Sequence, residues 1–376
     1  MMTSFSRTDS SILGRWWWTL DRWALLVLTL LFAVGAILTV AASPGAAARI
    51  GLEPFFFVRH QFAFMVPALL ILLAVSMLSP RGIRRIAVLV LGAGIILVAA
   101  TNFSGIEIKG ASRWLSLGGF TFQPSEFVKP CFAVVAAWMF AEYRQSKNFP
   151  GRTVASVLLL AIVGLLLLQP DFGMAVTVAA VWFVQFFLAG LSLWWVGLSL
   201  AATLGLVTAA YSIFPHVAKR IDLFIDPLSG DSYQVTTSLK AFQQGGLLGK
   251  GPGEGVVKGY LPDAHTDFIF AVAAEEFGML AALAIVGLFS FIVLRGLTRV
   301  VREADLFVLL AVAGLLTQFG LQALINMGVT VQLLPAKGMT LPFVSYGGSS
   351  LIASALGMGM VLALTRSGYR DRVLAP

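Results

Sequence analysis

Long apolar runs alternate with short polar connections along most of this chain. A helix that crosses a membrane needs about 20 mostly apolar residues. Ten segments meet or nearly meet that length: 23–42, 62–79, 84–101, 124–142, 153–169, 172–190, 192–214, 267–294, 305–327 and 348–365. The pattern therefore predicts an all-α polytopic membrane protein built as a bundle of about ten transmembrane helices.

The first apolar segment is longer than the 7–15 residues of a signal-peptide core, so we expect it to be an uncleaved span. Trp16, Trp17 and Trp18 precede it, as expected at a membrane–water interface. The predicted division of the chain is a cytoplasmic N-terminal tail at 1–22, a membrane domain at 23–366 and a cytoplasmic C-terminal tail at 367–376.

The basic residues fix the expected orientation. Every second connection, counted from the N-terminus, carries three of them, and these five groups hold 15 of the 26: Arg7, Arg15, Arg22; Arg81, Arg84, Arg85; Arg144, Lys147, Arg152; Arg295, Arg299, Arg302; Arg366, Arg370, Arg372. The positive-inside rule then places both termini in the cytoplasm. Topology thus explains the net charge of +8, and no nucleic-acid partner is needed.

That orientation puts three connections outside: 102–123, 215–266 and 328–347. Loops longer than about 12–15 residues are usually functional or disordered. The second connection is the longest and contains apolar and aromatic residues, so we expect one large ordered extracytoplasmic loop at 215–266.

Composition agrees with a membrane protein. Hydrophobic residues make up 58% and charged residues only 12%, about half the share in soluble proteins. The mean hydropathy is +0.89. This balance excludes a large soluble domain. The single cysteine, Cys131, lies in an apolar run, and the three scattered histidines form no metal motif.

The stretch Tyr260–Phe270 ends the long loop and opens an apolar run, with Asp267 at the junction. A carboxylate at the mouth of a membrane helix is costly unless it faces protein or water, so Asp267 is a candidate functional residue. The alternative is that Thr266 or Asp267 only caps the helix. Small residues follow Asp267 at helical spacing, which favours a carboxylate that faces the bundle.

The other outer connections also carry charged residues. Glu126 and Lys129 share one helix face and are expected to pair, either as part of a site or as a pair that only anchors the helix end. Lys337 supplies a cation in the third loop. Three amide side chains recur every four residues before this loop, at Gln318, Gln322 and Asn326. We interpret them as residues that form hydrogen bonds within the bundle.

Several stretches together resemble the SEDS family of bacterial cell-wall polymerases, which includes FtsW, RodA and SpoVE. They are GASRW at 110–114, QPSEFVK at 123–129, QPDFG at 169–173, the glycine-rich run 245–255, AHTDFIF at 264–270, EEFG at 275–278 and LPFVSYGGSS at 341–350. The run LPAKGMT at 334–340 resembles the FtsW-type division members more than the RodA-type elongation members.

The resemblance implies a ten-helix SEDS fold and a glycosyltransferase that polymerises lipid II into β-1,4 glycan strands. It implies that Asp267 is the catalytic residue, which we interpret as the general base. Arg220, Lys337, Arg113 and Lys129 are expected to hold the departing pyrophosphate, with Glu126 and His265 as further substrate-binding candidates. The sequence does not assign a cofactor, and a divalent cation, Mg²⁺ or Mn²⁺, bridging carboxylate and pyrophosphate is compatible with the chemistry.

The same resemblance implies a protein of the bacterial inner membrane at the division septum. Its expected partners are a class B penicillin-binding protein of the FtsI type and septal regulators. The alternatives are a RodA-like elongation polymerase, a non-catalytic scaffold and a flippase for lipid II. Glu275 and Glu276, inside a predicted span, favour transport, because coupled charges of transporters lie within the membrane.

Overall fold

A computed structural model describes the chain except for residues 1–10, 109–110, 118–119, 147, most of 191–232, 302, 336–337 and 367–376. Eleven α-helices form within the described residues. They are α1 (Ile12–Thr19), α2 (Arg22–Arg49), α3 (Phe56–Ser76), α4 (Pro80–Ser104), α5 (Pro124–Gln145), α6 (Gly151–Leu168), α7 (Phe172–Leu188), α8 (Tyr233–Gly245), α9 (Ile269–Val300), α10 (Leu306–Thr330) and α11 (Gly348–Leu364).

Nine of the ten predicted spans coincide with α2–α7 and α9–α11, while the segment 192–214 lies largely outside the described residues. Among the helices of the described residues, six are long and apolar enough to cross a membrane: α2, α3, α4, α6, α9 and α10. The apolar helices α7 and α11 are shorter. The prediction of a multi-pass helical membrane protein is confirmed.

The inner helices of the bundle are α5, α10 and α11, most of whose residues are buried. By contrast, α3, α4 and α6 expose large apolar side chains such as Leu70, Leu89 and Leu160. A helix that is apolar all round belongs in a protein core or a membrane. The outer helices therefore present their apolar sides to lipid, and the inner ones hold the polar groups.

The first outer connection contains a small antiparallel sheet that the hydrophobic pattern did not predict. Its strands are β1 (Ile106–Ile108), β2 (Ala111–Leu117) and β3 (Phe120–Phe122), in the order β1-β2-β3. Trp114 pairs with Ile106, and Leu115 pairs with Phe122. The sheet adds a β element to an otherwise helical fold and places Arg113 over the bundle.

Helix α9 is broken at Gly278, whose φ of 81° and ψ of 178° are not helical. The loop after α8 fills the break. Its residues Lys250 and Gly251 donate to the carbonyls of Glu275 and Glu276, and the amide of Met279 donates to a loop carbonyl. A helix end leaves backbone groups without partners. Here the loop supplies those partners for both halves of α9.

The two ends of α9 lie in different environments. Near its C-terminal end, Arg295 and Arg299 form salt bridges of 2.7 and 2.9 Å with Asp21, the N-cap of α2. Asp267 precedes the other end. A straight helix of 32 residues is about 48 Å long at 1.5 Å per residue. The basic cluster and Asp267 therefore lie at opposite faces of the bundle, in agreement with the predicted topology.

Candidate functional site

A cavity of about 710 Å³ opens beside Asp267. Its walls come from the first and third outer connections, from the turn before α9 and from the turn between α6 and α7. The polar and charged residues among those that line it are His60, Arg113, Thr121, Gln123, Glu126, Asp171, Gln234, Asp263, Thr266, Asp267, Gln322, Thr340, Tyr346, Ser349 and Ser350.

Asp267 lies in the turn before α9 and not in its first helical position. The helix begins at Ile269, and its N-cap, Phe268, has no side-chain capping bond. The helix thus begins two residues after the start of the predicted apolar segment, and its N-cap position is occupied by Phe268 and not by Thr266 or Asp267. The half-buried carboxylate lies on the cavity wall. Gly338 packs so closely that a Cβ atom there would lie 3.0 Å from Oδ2 of Asp267.

The third outer connection holds the segment His265–Asp267 through several bonds. The amide of Tyr346 donates to the His265 carbonyl at 2.9 Å, and Ser345 Oγ donates to the Thr266 carbonyl at 2.6 Å. The His265 ring stacks on Phe57, with ring centroids 4.0 Å apart. His265 does not line the cavity, so its contacts stabilise the segment that carries Asp267.

Glu126 and Lys129 form a buried salt bridge of 2.8 Å near the start of α5. Lys129 Nζ also donates to Gln322 Oε1 at 3.0 Å, and Gln322 Nε2 donates to the Thr340 carbonyl at 3.0 Å. Glu126 and Gln322 line the cavity, whereas Lys129 does not. The predicted pairing is confirmed, and it places the Glu126 carboxylate on the cavity wall.

Arg113 bridges the sheet and the turn between α6 and α7. It donates to the carbonyls of Gln169 and Pro170 and lies 3.5 Å from the carboxylate of Asp171. Asp171 also caps α7 by accepting from the Met174 amide. Sequence reasoning did not single out Asp171, although it lies in the matched QPDFG stretch and is a cavity residue.

Two predicted phosphate-binding residues, Arg220 and Lys337, lie outside the described residues. Gly338, the neighbour of Lys337, contacts Asp267. Gln322 was interpreted only as a residue that bonds within the bundle, but it also lines the cavity. Burial raises the pKa of the Tyr346 hydroxyl, so this cavity residue is neutral at physiological pH.

Within the described part of the chain, no group of three His, Cys, Asp or Glu residues is placed to hold a metal ion. The described residues thus do not form a metal site by themselves. A Mg²⁺ ion is often bound through one or two carboxylates together with substrate phosphates. Asp267 is able to supply one such ligand.

Glu275 and Glu276 are buried, but both have structural partners. Glu275 accepts from the amides of Val257 and Lys258 at 2.7 and 2.8 Å. Glu276 forms a salt bridge with the Lys258 side chain. Carboxylates held in this way stabilise the docked loop, so the observation that favoured a transporter has a structural explanation.

Residues 21–370 match the model of the FtsW/RodA/SpoVE family, described as cell cycle protein. A probable peptidoglycan glycosyltransferase FtsW of Caulobacter vibrioides is 46% identical over 365 residues, which cover 96% of this chain and 93% of that protein. The FtsW of Coxiella burnetii, named in the same way, is 34% identical and covers 92% of this chain and 96% of its own.

Two solved structures share the fold. One, from work on structural coordination of polymerization and crosslinking by a peptidoglycan synthase complex, superposes with a TM-score of 0.78 at 29% identity. The rod shape determining protein RodA of Thermus thermophilus superposes with a TM-score of 0.67 at 29% identity. Both matches cover 96% of this chain, and they cover 100% and 99% of the other chains.

Proposed function

The chain belongs to the FtsW/RodA/SpoVE family, and from this premise we propose that it is a peptidoglycan glycosyltransferase of the FtsW type. Its substrate is lipid II, and its products are a β-1,4 glycan strand and undecaprenyl pyrophosphate. The observation that carries the proposal is the Asp267 carboxylate on the wall of a cavity that is also lined by Arg113 and Glu126.

In the proposed reaction, the 4-hydroxyl oxygen of the acceptor sugar attacks the anomeric carbon of the donor. The bond from that carbon to the pyrophosphate breaks, and the leaving group takes the electron pair. Asp267 accepts the hydroxyl proton as general base, an assistance of about 10²–10⁴-fold in rate. The configuration at the anomeric carbon inverts because the attack comes from the face opposite the leaving group.

Cations stabilise the negative charge that develops on the pyrophosphate. We assign this role to Arg113, Lys129, Arg220 and Lys337. Of the two that the structure describes, Arg113 is the more accessible, because its side chain is 26% exposed and that of Lys129 is 2% exposed. The cavity lies at the mouths of α5, α9 and α11, so the sugars and pyrophosphate can be in water while the polyprenyl chain stays in lipid.

The direct test is polymerisation of lipid II by the purified protein, with and without a class B penicillin-binding protein. Asp267→Asn should lower the rate by at least about 10²-fold while the protein stays folded. Glu254→Gln is the control, because Glu254 is an exposed carboxylate in the same connection and is not on the cavity wall. Glycan yield of Asp267→Asn equal to wild type would remove Asp267 from the mechanism.

A divalent cation, if Asp267 binds one, should enter with the pyrophosphate, because the described residues supply no complete metal site. We therefore expect Mn²⁺ to bind weakly to the protein alone and more tightly in the presence of lipid II. Electron paramagnetic resonance of Mn²⁺ measures this difference in affinity and does not require turnover. Asp267→Asn is the control, because it lacks the carboxylate that would bind the ion. Tight Mn²⁺ binding by the substrate-free protein would contradict the expectation that the cation enters together with lipid II.

The division role rests on the FtsW-type relatives, and we propose that the protein acts at the septum with an FtsI-type transpeptidase and septal regulators. One solved relative belongs to a peptidoglycan synthase complex, which supports a transpeptidase partner. A fluorescent fusion should gather at the division site. Uniform labelling of the lateral membrane, together with loss of rod shape on depletion, would favour the elongation role.

A further inference from the structure

One buried amide on α10 connects the two segments that face each other across Asp267. Asn326 is 1% exposed. Its Nδ2 donates to the Asp267 carbonyl at 2.9 Å and to the Met339 carbonyl at 2.6 Å. The first acceptor belongs to the turn before α9, and the second belongs to the third outer connection. Asn326 therefore fixes the distance between these two segments.

The chemistry of the two partners fixes which way the amide points. Both are carbonyl oxygens, which only accept hydrogen bonds, so the NH₂ group must face them. Its oxygen, Oδ1, is then buried without a hydrogen-bond partner among the described residues. A buried acceptor without a hydrogen-bond partner destabilises the folded protein, and here this cost accompanies the two bonds that hold the carbonyls.

The position of the Asp267 carboxylate follows from this bridge. Gly338 immediately precedes Met339, and a Cβ atom on Gly338 would lie 3.0 Å from Oδ2 of Asp267. With the Met339 carbonyl and the Asp267 carbonyl held by one amide, the carboxylate lies between its own turn and the backbone of Gly338. Neither segment has a regular structure at this point, so the bridge from α10 supplies a rigid reference.

We propose that Asn326 is a positioning residue for Asp267, which sets the place of the carboxylate without touching substrate. This inference rests on the proposed function, because it concerns the reaction in which Asp267 acts. Asn326 does not line the cavity. Its loss should therefore change the rate of the chemical step and leave the binding of lipid II nearly unchanged.

The first test is Asn326→Leu, which keeps the approximate size of the side chain and removes both donors. A misplacement of about 1 Å costs on the order of 10²-fold in rate. We expect kcat to fall by about that factor, while KM changes by less than roughly threefold. Gln318→Leu is the matched control. Gln318 lies two turns earlier on α10 and does not line the cavity, and its buried side-chain oxygen has no hydrogen-bond partner among the described residues.

A second measurement does not depend on turnover. The Tyr346 amide, which donates to the His265 carbonyl, reports whether the third connection stays docked on the segment of Asp267. Hydrogen exchange at Tyr346 should be faster in Asn326→Leu and unchanged in Gln318→Leu. Unchanged exchange in a folded Asn326→Leu protein would show that the amide does not hold the connection, and would overturn the inference.

A third variant tests the contact from the other side and does not disturb a buried position. Gly338→Ala places a methyl group 3.0 Å from Oδ2 of Asp267, so the carboxylate must shift by a few tenths of an ångström. We expect kcat to fall by roughly 3- to 10-fold with little change in KM. Gly259→Ala is its control, because a Cβ atom there meets nothing within 4 Å.

The outcomes separate this inference from the proposed function. A wild-type protein that makes no glycan from lipid II contradicts the proposed function. An active wild type, with kcat of Asn326→Leu at the wild-type level, contradicts only the positioning role. If Asn326→Leu does not fold, the result with Gly338→Ala decides, and wild-type kcat in that variant overturns the inference. A fall in affinity with unchanged kcat would also overturn it.

Discussion

Glu126 and Lys129 are a buried ion pair whose partners depend on each other. Their side chains are 8% and 2% exposed. Removing one partner leaves an uncompensated buried charge, which typically costs about 3–5 kcal/mol, whereas replacing both removes the charge altogether. Glu126 and Lys129 should therefore be strongly coupled in stability, independently of their part in the reaction.

We predict that Lys129→Met and Glu126→Gln each lower the free energy of unfolding by about 3–5 kcal/mol, and that the double variant is more stable than either. Heat or denaturant unfolding of all variants in the same detergent measures these free energies. The control is Glu53→Gln, which removes an exposed salt bridge to Arg59 and should cost less than about 1 kcal/mol. Additive losses in the double variant would contradict the coupling.

Single residues differ in how far the sequence reveals them. Asp267, Glu126 and Lys129 stand out because a charge in an apolar run is costly and needs a reason. The role of Asn326 was not predictable, because it depends on two backbone carbonyls that only the folded chain brings together. The sequence showed an amide at helical spacing, which is compatible with any contact inside the bundle.

At the scale of elements, the break in α9 is the feature that most depends on one residue. Gly278 has a backbone conformation that L-residues rarely adopt, and a Cβ atom there would lie 2.3 Å from the Leu247 carbonyl. The docked loop occupies the space that a side chain would need. Glycine is therefore required here for both conformation and room.

We predict that Gly278→Ala destabilises the protein by more than the 1–3 kcal/mol of backbone strain alone, because the loop must also move. Gly287→Ala, later in the same helix, meets nothing within 4 Å and should be neutral or slightly stabilising. Comparing the unfolding temperatures of the two variants tests this. Equal stability would mean that the break is not fixed by the docked loop.

Elements with strong periodicity were predictable and the others were not. The apolar runs predicted nine of the described helices, because length and hydrophobicity are sufficient to indicate a span. The three-stranded sheet was missed because its strands have three to seven residues and lie inside a loop. The break in α9 was missed because an isolated glycine in an apolar run is also compatible with a continuous helix.

At the scale of the whole molecule, the opposite placement of Asp267 and the Asp21–Arg295–Arg299 cluster gives the protein a definite orientation. Ser116 lies on strand β2 in the first outer connection and is exposed, and Val301 follows α9 at the other face and is 73% exposed. The only native cysteine, Cys131, is buried. The topology is therefore open to labelling without removal of the native thiol.

We predict that a membrane-impermeant maleimide added to intact spheroplasts labels Ser116→Cys and not Val301→Cys, because only the first faces outward. Permeabilised membranes should label both. The wild-type chain is the control and should stay unlabelled until it is denatured. Labelling of Val301→Cys in intact spheroplasts would reverse the orientation and move the site to the cytoplasmic face.

The docked loop at Gly278 has a mechanical consequence for the membrane domain. A continuous helix transmits a tilt along its whole length, whereas a helix that is broken at one residue is able to bend there. The outer nine residues of α9 and the first residues of its inner part are both joined to the loop by backbone hydrogen bonds, and the inner part is also bonded to Asp21 of α2 near its other end. We therefore expect a change in the tilt of the inner part to bend α9 at Gly278, while the segment that carries Asp267 stays held by its own contacts.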